Sequence, residues 1–516
     1  MTDLRRDLAV LALAGGALLF LGLGSRDFGE PDEPDFALIS REMLRSGDWI
    51  VPTRNGTPYS EKPPLLYWMV AGLGKLTGTG VNGWTGRLPS AACALMAVLA
   101  VYLAGRRWLS RDAGLFAALI LLTMPLWLLK GRWLLTDMPL AGFLTVAILG
   151  LGRGLVEEGT APAWWGFAAL GLAVLAKGPM AIPLVAVVLG GAGLLLSRNP
   201  FRPLGRWILG GLLVLAIAAP WYLAVWRLAP RGFLEDCLGQ NFRFVQTASH
   251  ARPWHYYLPA VAYDLFPWSL PALAAIPLAW RARREKPALA LALAWFLGML
   301  GLLSLSTVKQ GKYMLPFLPA AALLAGWTLV EGGSLTRWTG RLASWALLIL
   351  AAALGVAAWS CPVPEFRGPL AGLAVAALVC SAAPAFLPGR TSVLAAALAA
   401  FYIAVVCLAE PVVGRLKSAR PFSVAAARMA GPGSLAYYGD DLQAAFPFYA
   451  DRKVDYVETS PEGLDRYLRA HPGGLVMMRA RDRDRLGPVS DSLRVVLAAR
   501  VGQDGMVAVR RAEGER

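Results

Sequence analysis

The stretch LAVLALAGGALLFLGLG, residues 8–24, is followed almost at once by GEPDEPDF, residues 29–36. The first segment is an uninterrupted apolar run close to the roughly 20 residues that a helix needs to cross a bilayer. The second places four carboxylates directly beside that run. A membrane-spanning helix ending at an acidic loop is the pattern from which the rest of the fold can be predicted.

The composition excludes an ordinary soluble protein. Of 516 residues, 56% are hydrophobic and only 16% are charged, and the chain contains 19 Trp, which is typical of a polytopic membrane protein. The formal net charge of +16 does not require a nucleic acid partner, because basic cytoplasmic loops and anionic lipid headgroups account for it. The five cysteines show no CxxC or zinc-ligand spacing.

Apolar segments long enough to be helical spans recur from Leu8 to about Pro411 and then stop. We predict about thirteen transmembrane helices, centred on residues 8–24, 88–105, 113–129, 138–152, 163–176, 179–196, 207–226, 256–280, 288–305, 313–330, 342–359, 369–387 and 391–410. The fold class predicted is therefore mostly α and polytopic.

Basic residues in the short connections predict the orientation, because such residues stay on the cytoplasmic side. They fall on alternate loops, at Arg5 and Arg6, at Arg106, Arg107 and Arg111, at Arg198, Arg202 and Arg206, and at 281–286. The N-terminus is then cytoplasmic, and an odd number of spans places the C-terminal segment outside. The first span lacks a small-residue cleavage site and reads as an uncleaved anchor.

The first outer loop, residues 25–84, is too long for a simple connector. ALISREMLRSGDWI predicts an amphipathic helix with Phe36, Ile39, Met43 and Leu44 on its apolar face, lying on the membrane surface. A second helix is predicted after the Pro63-Pro64 pair. The acidic loop and these two helices would form a platform at the outer face.

The chain divides at about Pro411, where the composition changes. Residues 1–411 are predicted to be the membrane domain, and 412–516 a small extracytoplasmic α/β domain. A helix in LKSARPFSVAAARM, strands in SLAYYG, GLVMMRA and Leu493–Arg500, and a hairpin closing near Asp504 are expected there. That domain either covers a ligand or merely stabilises the fold.

The acids of the first loop are either solvated turn residues or parts of a site. Lysines in predicted outer positions favour a site, since short outer loops are depleted of basic residues; they are Lys62, Lys177, Lys309 and Lys312. Acids and lysines at a membrane face suit group transfer from a lipid phosphate, in which cations stabilise the leaving phosphate and a carboxylate accepts a proton. A transporter or lipid flippase is the alternative of a different class, although such proteins usually place charge at the membrane midplane.

Several motifs together resemble a known family. They include PDEPDFALISREMLRSGDWIVP from Pro31, PYSEKPPLLYW at 58–68, TD at 136–137, AKGP at 176–179, HARPWHYYLP at 250–259 and KYMLPFLP at 312–319. In this order they resemble the bacterial aminoarabinose lipid A transferases. More broadly they resemble the polyprenyl-phosphate glycosyltransferases related to protein O-mannosyltransferases, which have the GT-C membrane fold. The resemblance covers about Asp27 to Tyr449.

The resemblance implies roles for individual residues. Asp32 and Glu33 match an acidic pair in which Asp32 is the leading catalytic carboxylate, and Asp137 matches a second, assisting acid. The residues expected to hold the donor phosphate are Lys62, Tyr313, Arg243, Tyr59 and Lys312. Glu61 and His250 match residues that can contribute to a divalent metal site, but two ligands fall short of the usual zinc count. A surface histidine is the alternative for His250, and no nucleotide cofactor is expected.

Two departures bear on the substrate. The family typically reads DETRYA where this chain has DEPDFA at 32–37, so that Asp35 replaces an arginine and Phe36 a tyrosine. The KQGKYML connection is also shorter than its counterpart, so Lys309 and Lys312 have no fixed family equivalents.

The resemblance implies an inverting glycosyltransferase of the bacterial inner membrane. It would move a sugar, aminoarabinose-like or another pentose or hexose, from undecaprenyl phosphate to lipid A or another outer-face acceptor. A protein O-glycosyltransferase of the same fold and a lipid-linked sugar flippase are the alternatives.

Overall fold

The computed structural model describes residues 2–29, 31–242, 251–331, 333–386, 391–439 and 444–512. These residues form two compact units. We call Met1–Leu23, Ser60–Met69 and Arg87–Ala409 the helical unit, and Gly24–Tyr59, Val70–Gly86 and Glu410–Arg516 the mixed unit. Each unit is described by itself.

The helices follow one another through most of the chain. They are α1 Thr2–Gly15, α2 Asp32–Ser46, α3 Leu65–Thr77, α4 Gly83–Trp108, α5 Arg111–Thr123, α6 Pro125–Gly131, α7 Asp137–Val156, α8 Trp164–Lys177, α9 Ala181–Leu196, α10 Leu204–Leu228, α11 Phe233–Phe242, α12 Tyr257–Asp264, α13 Ser269–Ala282, α14 Pro287–Leu305, α15 Leu318–Glu331, α16 Gly333–Ser360, α17 Pro364–Phe386, α18 Thr391–Ala404, α19 Glu410–Lys417, α20 Arg420–Ala430, α21 Ala445–Ala450, α22 Pro461–Ala470 and α23 Ala480–Arg483. Short 3₁₀ turns at Trp254–Tyr256 and Gly311–Phe317 lead into α12 and α15.

The strands are few and short. They are β1 Thr53–Arg54, β2 Thr57–Pro58, β3 Leu435–Tyr438, β4 Asp455–Val457, β5 Leu475–Arg479, β6 Leu493–Val501 and β7 Asp504–Arg511.

The helical unit is a multi-pass membrane protein, as predicted, but the count of about thirteen spans is not confirmed. Among the described residues, eight helices are long and apolar enough to cross a membrane, or up to ten if two bent helix pairs each count as one span. The predicted spans at 163–176 and 179–196 correspond to α8 and α9, which have only 14 and 16 residues.

Two predicted spans are broken. Helices α5 and α6 meet at an angle of 64° and the segment Trp254–Asp264 meets α13 at 115°. Pro125 opens α6 and leaves Met124 extended, because the residue before a proline is pushed out of the helical region. Apolar composition alone does not reveal such bends, so it yields too many straight spans.

Basic residues of the α4–α5 connection contact an acid of α1 at one end of the helical unit. The Asp7 carboxylate accepts hydrogen bonds from Arg111 Nε at 2.8 Å and from the Tyr102 hydroxyl at 2.7 Å. Arg106 lies 3.4 Å from the same carboxylate. The start of α1 and the α4–α5 connection therefore lie at the same end of this unit.

The mixed unit contains the predicted small α/β domain. Its five strands lie in the order β4-β3-β5-β7-β6. Strand β3 runs parallel to β4 and β5, whereas β7 is antiparallel to β5 and β6. The β6–β7 hairpin turns at Gly502, whose φ is +61°, slightly before the predicted Asp504, since glycine adopts this conformation without strain.

Helix α2 connects the first loop to the rest of the mixed unit. Phe36, Ile39 and Met43 are buried, as the amphipathic pattern predicted. The helix packs against α21 and β1, so protein covers the apolar face that was predicted to lie on the membrane surface. It ends at Gly47, whose φ is +73° and whose N–H donates to the Met43 carbonyl, a common glycine C-cap.

Candidate functional site

A buried ion pair lies where two apolar helices end in the helical unit. Asp137 is the first residue of α7 and Lys177 the last residue of α8. Their side chains are only 5% and 10% exposed, and Lys177 Nζ donates to the Asp137 carboxylate. An acid at a helix N-terminus and a base at a C-terminus are each favoured by the helix dipole. The pair is therefore held at one end of the α7–α8 packing.

Lys62 adds a second cation to this pair. Burial lowers the pKa of Lys62 below its ordinary value, and the positive charges of Lys177 and Lys312 lower it further. The negative charges of Glu61 and Asp137 act in the opposite direction. The charges of Lys177, Lys312 and Lys62 also act on the buried Asp137 carboxylate, so the three lysines share one neighbourhood with this acid. Such a cluster favours binding of a further anion.

The side chain of Tyr313 borders the same cluster. Lys177 Nζ lies 4.6 Å from the centre of the Tyr313 ring, a distance typical of a cation–π contact. The backbone N–H of Tyr313 donates to the Gln310 carbonyl at 3.1 Å, and the buried Tyr257 hydroxyl donates to that carbonyl at 3.4 Å. The predicted phosphate contact of Tyr313 stays a prediction.

Lys309 does not join the cluster. Lys309 is only 3% exposed, and its Nζ donates to the backbone carbonyls of Ser306 and Arg252. These carbonyls bind the ammonium, so Lys309 has a structural role.

The acids of the first loop lie in the mixed unit. Asp32 is the first residue of α2 and is half-buried. Glu33 is entirely buried; its carboxylate accepts from Arg26 Nη1 at 2.7 Å and from the Gly29 N–H at 2.8 Å. Adjacent helix residues point in directions about 100° apart, so one acid faces inward and the other remains accessible.

Replacing Glu33 by Gln is expected to destabilise the mixed unit. Arg26 is only 9% exposed, and removing the partner of a buried charge costs about 3–5 kcal/mol. Thermal unfolding should therefore occur at a clearly lower temperature than for Glu462→Gln, which removes an exposed carboxylate in the first turn of α22. Equal unfolding temperatures for the two variants would contradict a structural role for Glu33.

Asp35, which replaces the arginine typical of the family, has a basic partner nearby. Arg54 Nη1 on β1 lies 3.3 Å from the Asp35 carboxylate. The Arg54 guanidinium also lies 5.6 Å from the centre of the Tyr59 ring, which is buried. Tyr59 and Asp35 thus lie in the mixed unit, together with Asp32 and Glu33.

The described residues give no support for a metal centre. Among the described ranges, no three His, Cys, Asp or Glu side chains group as ligands. Glu61 is 46% exposed and its carboxylate lies 3.9 Å from Lys62 Nζ, a cation that competes with a metal ion. The predicted partner His250, like the predicted phosphate ligand Arg243, lies outside the described residues.

The sequence pattern left two members of this neighbourhood without a role. Lys177 stood out as an outer lysine in AKGP, but only the fold reveals its pairing with Asp137. Cys237 in α11 is also near Lys62. Burial raises the pKa of the Cys237 thiol to about 11, and the positive charge of Lys62 acts against that rise. The sequence grouped Lys177 with Lys62 as outer lysines, but no spacing or motif connects Cys237 to either of them.

The chain is similar in sequence to known glycosyltransferases. The family model described as dolichyl-phosphate-mannose-protein mannosyltransferase matches residues 61–226. An undecaprenyl phosphate-alpha-4-amino-4-deoxy-L-arabinose arabinosyl transferase of Pseudomonas aeruginosa is 32% identical over 333 residues, which are 62% of this chain and 59% of that protein. The second such transferase of Proteus mirabilis is 33% identical over 314 residues, or 58% and 55% of the two chains. The chain thus spans less than two thirds of the length of these curated relatives.

Two solved structures share the fold. The crystal structure of ArnT from Cupriavidus metallidurans bound to undecaprenyl phosphate matches with a TM-score of 0.80 and 25% identity, over 97% of both chains. The archaeal oligosaccharyltransferase AglB from Archaeoglobus fulgidus matches with a TM-score of 0.55 and 12% identity, over 92% of this chain and 69% of that one. The resemblance to the aminoarabinose transferases and the GT-C fold is thereby confirmed.

Proposed function

We propose that this chain, which resembles the undecaprenyl-phosphate aminoarabinose transferases and shares their fold, is an inverting membrane glycosyltransferase. It takes a sugar from undecaprenyl phosphate and transfers it to lipid A or another acceptor outside the cytoplasmic membrane. The observation that carries this proposal is the buried Asp137–Lys177 pair at the ends of α7 and α8, with Lys62 and Lys312 close enough for their charges to act on Asp137. We further propose that the N-terminus is cytoplasmic and the C-terminal segment extracytoplasmic.

The lysines would hold the phosphate of the donor. Lys62, Lys177 and Lys312 exceed the charge of Asp137 and Glu61 by one positive unit, and the single negative charge of the donor phosphodiester would complete the balance. Cations fixed around a leaving phosphate stabilise the charge that develops as the bond breaks. Asp137 would keep the ammonium groups in place when no donor is bound.

The reaction would be a direct displacement at the anomeric carbon. An acceptor oxygen forms the new glycosidic bond while the bond from that carbon to the phosphate oxygen breaks, and the electron pair leaves with undecaprenyl phosphate. An acceptor hydroxyl loses its proton to Asp32, whereas an ionised phosphate acceptor has no proton to lose. The configuration at the anomeric carbon inverts, because the acceptor approaches opposite the leaving group.

Glu33 would then be a positioning residue. Its carboxylate is held by Arg26 and by the Gly29 N–H, so it fixes the turn from which α2 begins. Asp32 lies at that N-terminus, where the helix dipole favours a negative charge. The donor phosphate would also contact Tyr313, Tyr59 and Arg243. A divalent metal ion, where the reaction uses one, would bind to Glu61 and His250.

Donor use should weaken at high pH because of Lys62. The pKa of its ammonium is lowered chiefly by burial, and only the ammonium attracts phosphate. As the pH rises through that lowered pKa, kcat/KM for the donor should fall before an ordinary lysine would titrate. Bound phosphate favours the ammonium, so kcat should hold to higher pH than kcat/KM.

The matched variant is Lys62→Arg, whose guanidinium stays charged throughout this range. It should lose the alkaline fall in kcat/KM while keeping measurable transfer. The same alkaline profile in both proteins would show that Lys62 does not hold the phosphate.

The proposed function is tested with purified protein, a panel of undecaprenyl-phosphate sugars, and lipid A, glycan and peptide acceptors. Mass spectrometry should detect a new glycoside together with sugar-free undecaprenyl phosphate, both requiring the acceptor. Movement of a labelled donor lipid between leaflets without any new glycoside would instead identify a flippase and overturn the proposal. A glycoside formed only on the peptide would identify a protein O-glycosyltransferase.

A further inference from the structure

The chain just before α2 is bound to the C-terminal α/β domain of the mixed unit. The Asp27 carboxylate accepts a hydrogen bond from Ser418 Oγ at 2.6 Å. The backbone N–H of Phe28 donates to the Tyr449 hydroxyl, also at 2.6 Å. Phe28 is only 4% exposed, and its ring meets the Phe448 ring edge-on with the ring centres 5.3 Å apart. Two polar contacts and one ring contact therefore hold the chain a few residues before α2 begins.

Helix α2 itself is held by the same domain. The Arg41 guanidinium donates to the backbone carbonyls of Phe448 and Pro447 and lies 4.4 Å from the centre of the Phe448 ring. Its Nη1 lies 2.9 Å from the Asp451 carboxylate, and the Arg41 side chain is only 12% exposed. Because a guanidinium is planar and donates in fixed directions, these contacts restrict the rotation of α2 about its axis as well as its position.

A third contact follows α2, at the turn between β1 and β2. The Asn55 side-chain amide donates from Nδ2 to the Val454 carbonyl at 2.7 Å and accepts at Oδ1 from the Val454 N–H at 3.1 Å. Val454 is fully buried, so this pairing is shielded from competing water. The domain thus holds the first loop before α2, on α2 and after α2. We call the contacts made by Tyr449, Arg41 and Asn55 the clasp.

The clasp bears on catalysis because α2 begins at Asp32. A general base must lie within about 2.6–3.2 Å of the oxygen whose proton it accepts. A displacement of about 1 Å can lower a rate about a hundredfold. Rotation or sliding of α2 would move the Asp32 carboxylate by such an amount without unfolding the helix.

We propose that Tyr449, Arg41 and Asn55 are positioning residues, which hold α2 so that the Asp32 carboxylate meets the hydroxyl of the acceptor. The clasp acts through Asp32 and not by contact with the reacting atoms. This inference rests on the proposed transferase function. It gives the C-terminal α/β domain a role in catalysis that differs from covering a ligand and from stabilising the fold.

The test uses full-length Tyr449→Phe in lipid nanodiscs. Phenylalanine keeps the ring but removes the oxygen that accepts from the Phe28 N–H. With a hydroxyl acceptor, kcat should fall about tenfold or more, since the base is displaced. With an acceptor that presents an ionised phosphate oxygen, kcat should be unchanged, because that reaction needs no base. The donor KM should also be unchanged.

The matched control is Tyr467→Phe. The Tyr467 hydroxyl donates to the Asp455 carboxylate at 3.0 Å, within the same domain and at a similar degree of burial. This variant should match wild type with both acceptors. An equal fall of kcat with both acceptors in Tyr449→Phe would show that the clasp only stabilises the fold and would overturn the proposal.

A double variant tests whether the clasp acts through Asp32. Asp32→Asn/Tyr449→Phe should turn over the hydroxyl acceptor at the same rate as Asp32→Asn alone, since a residue that only positions the base has no effect once the base is gone. A further fall in the double variant would contradict the proposal.

Asn55→Gly provides an independent variant in case Tyr449→Phe does not fold. It removes the amide that pairs with Val454, and glycine adopts the Asn55 φ of +55° without strain. The same difference between the two acceptors is expected. Equal rates with both acceptors relative to wild type would refute the role of the clasp.

Failure of the transferase function itself would look different, because wild type would then form no glycoside with any donor. Amide hydrogen exchange still tests the clasp in that case. The backbone amides of residues 27–33 should exchange faster in Tyr449→Phe than in Tyr467→Phe, since local opening of this segment becomes easier. Equal exchange in the two variants would show that Tyr449 does not hold the start of α2.

Discussion

Replacing Asp32 by Asn is expected to lower transfer to a hydroxyl acceptor by about 10²–10⁴-fold, the usual contribution of a positioned general base. Asparagine keeps the size and polarity of the side chain but cannot accept the proton of the attacking hydroxyl. Asp32 is half-buried at the first position of α2, so the change should leave folding intact. Turnover is measured by mass spectrometry of the glycoside, and integrity by thermal unfolding.

The size of the expected loss depends on the chemistry of the acceptor. An acceptor that presents an ionised phosphate oxygen needs no base, so the loss should be much smaller with it than with a hydroxyl acceptor. Asp491→Asn, an exposed acid of the mixed unit, is the matched control and should behave as wild type. Near-normal turnover of Asp32→Asn on a hydroxyl acceptor would remove Asp32 from the mechanism.

Replacing Lys177 by Met is expected to lower both the stability of the protein and its affinity for the donor. Asp137 and Lys177 are both about nine-tenths buried or more, and removing one partner of such a pair leaves an uncompensated charge at a cost of about 3–5 kcal/mol. Lys62 and Lys312 remain near Asp137, which should keep the loss toward the lower end of that range. Donor binding should also weaken, because one phosphate-binding cation is gone.

The double variant Asp137→Asn/Lys177→Met separates these two effects. With both charges removed, no buried charge is left unpaired, so stability should return toward wild type. Donor affinity should stay low, because Lys177 is still absent. Thermal unfolding and donor binding are measured on the same preparations.

A matched control for the single change is Lys286→Met. Lys286 pairs with Glu331 at 2.8 Å, but the two side chains are 39% and 51% exposed, and exposed pairs contribute only about 0–1 kcal/mol. If Lys177→Met is no less stable than Lys286→Met, the buried pair is not the structural centre of the cluster.

The architecture was accessible from the sequence where local pattern decides it. Apolar runs predicted a helical membrane protein, the amphipathic pattern of Phe36, Ile39, Met43 and Leu44 predicted α2, and short apolar stretches predicted the C-terminal strands. The number of spans was not accessible, because bends such as the one at Pro125 depend on how neighbouring helices pack. Apolar composition predicted a span for each of α8 and α9, but these helices have only 14 and 16 residues, and their lengths depend on where the chain turns.

The site was accessible only residue by residue. Outer lysines stood out against the charge bias of membrane loops, yet their grouping around Asp137 brings together residues 62, 177 and 312, which share no local pattern. The sequence also could not tell Asp32 from Glu33, since adjacent acids look alike until the helix buries one of them against Arg26. The metal ligands and Arg243 stay predictions of the family resemblance.

We propose that Lys62 binds the phosphate of the donor and that Asp32 accepts a proton from the acceptor in the same transfer. An experimental structure of the protein with an undecaprenyl-phosphate sugar bound would measure this directly. We expect the donor phosphate within about 3 Å of the Lys62 and Lys177 ammonium groups, with the Asp32 carboxylate facing the anomeric carbon from the side opposite the phosphate. A phosphate bound away from Lys62, or Asp32 and Lys62 on opposite faces of the membrane, would contradict the account.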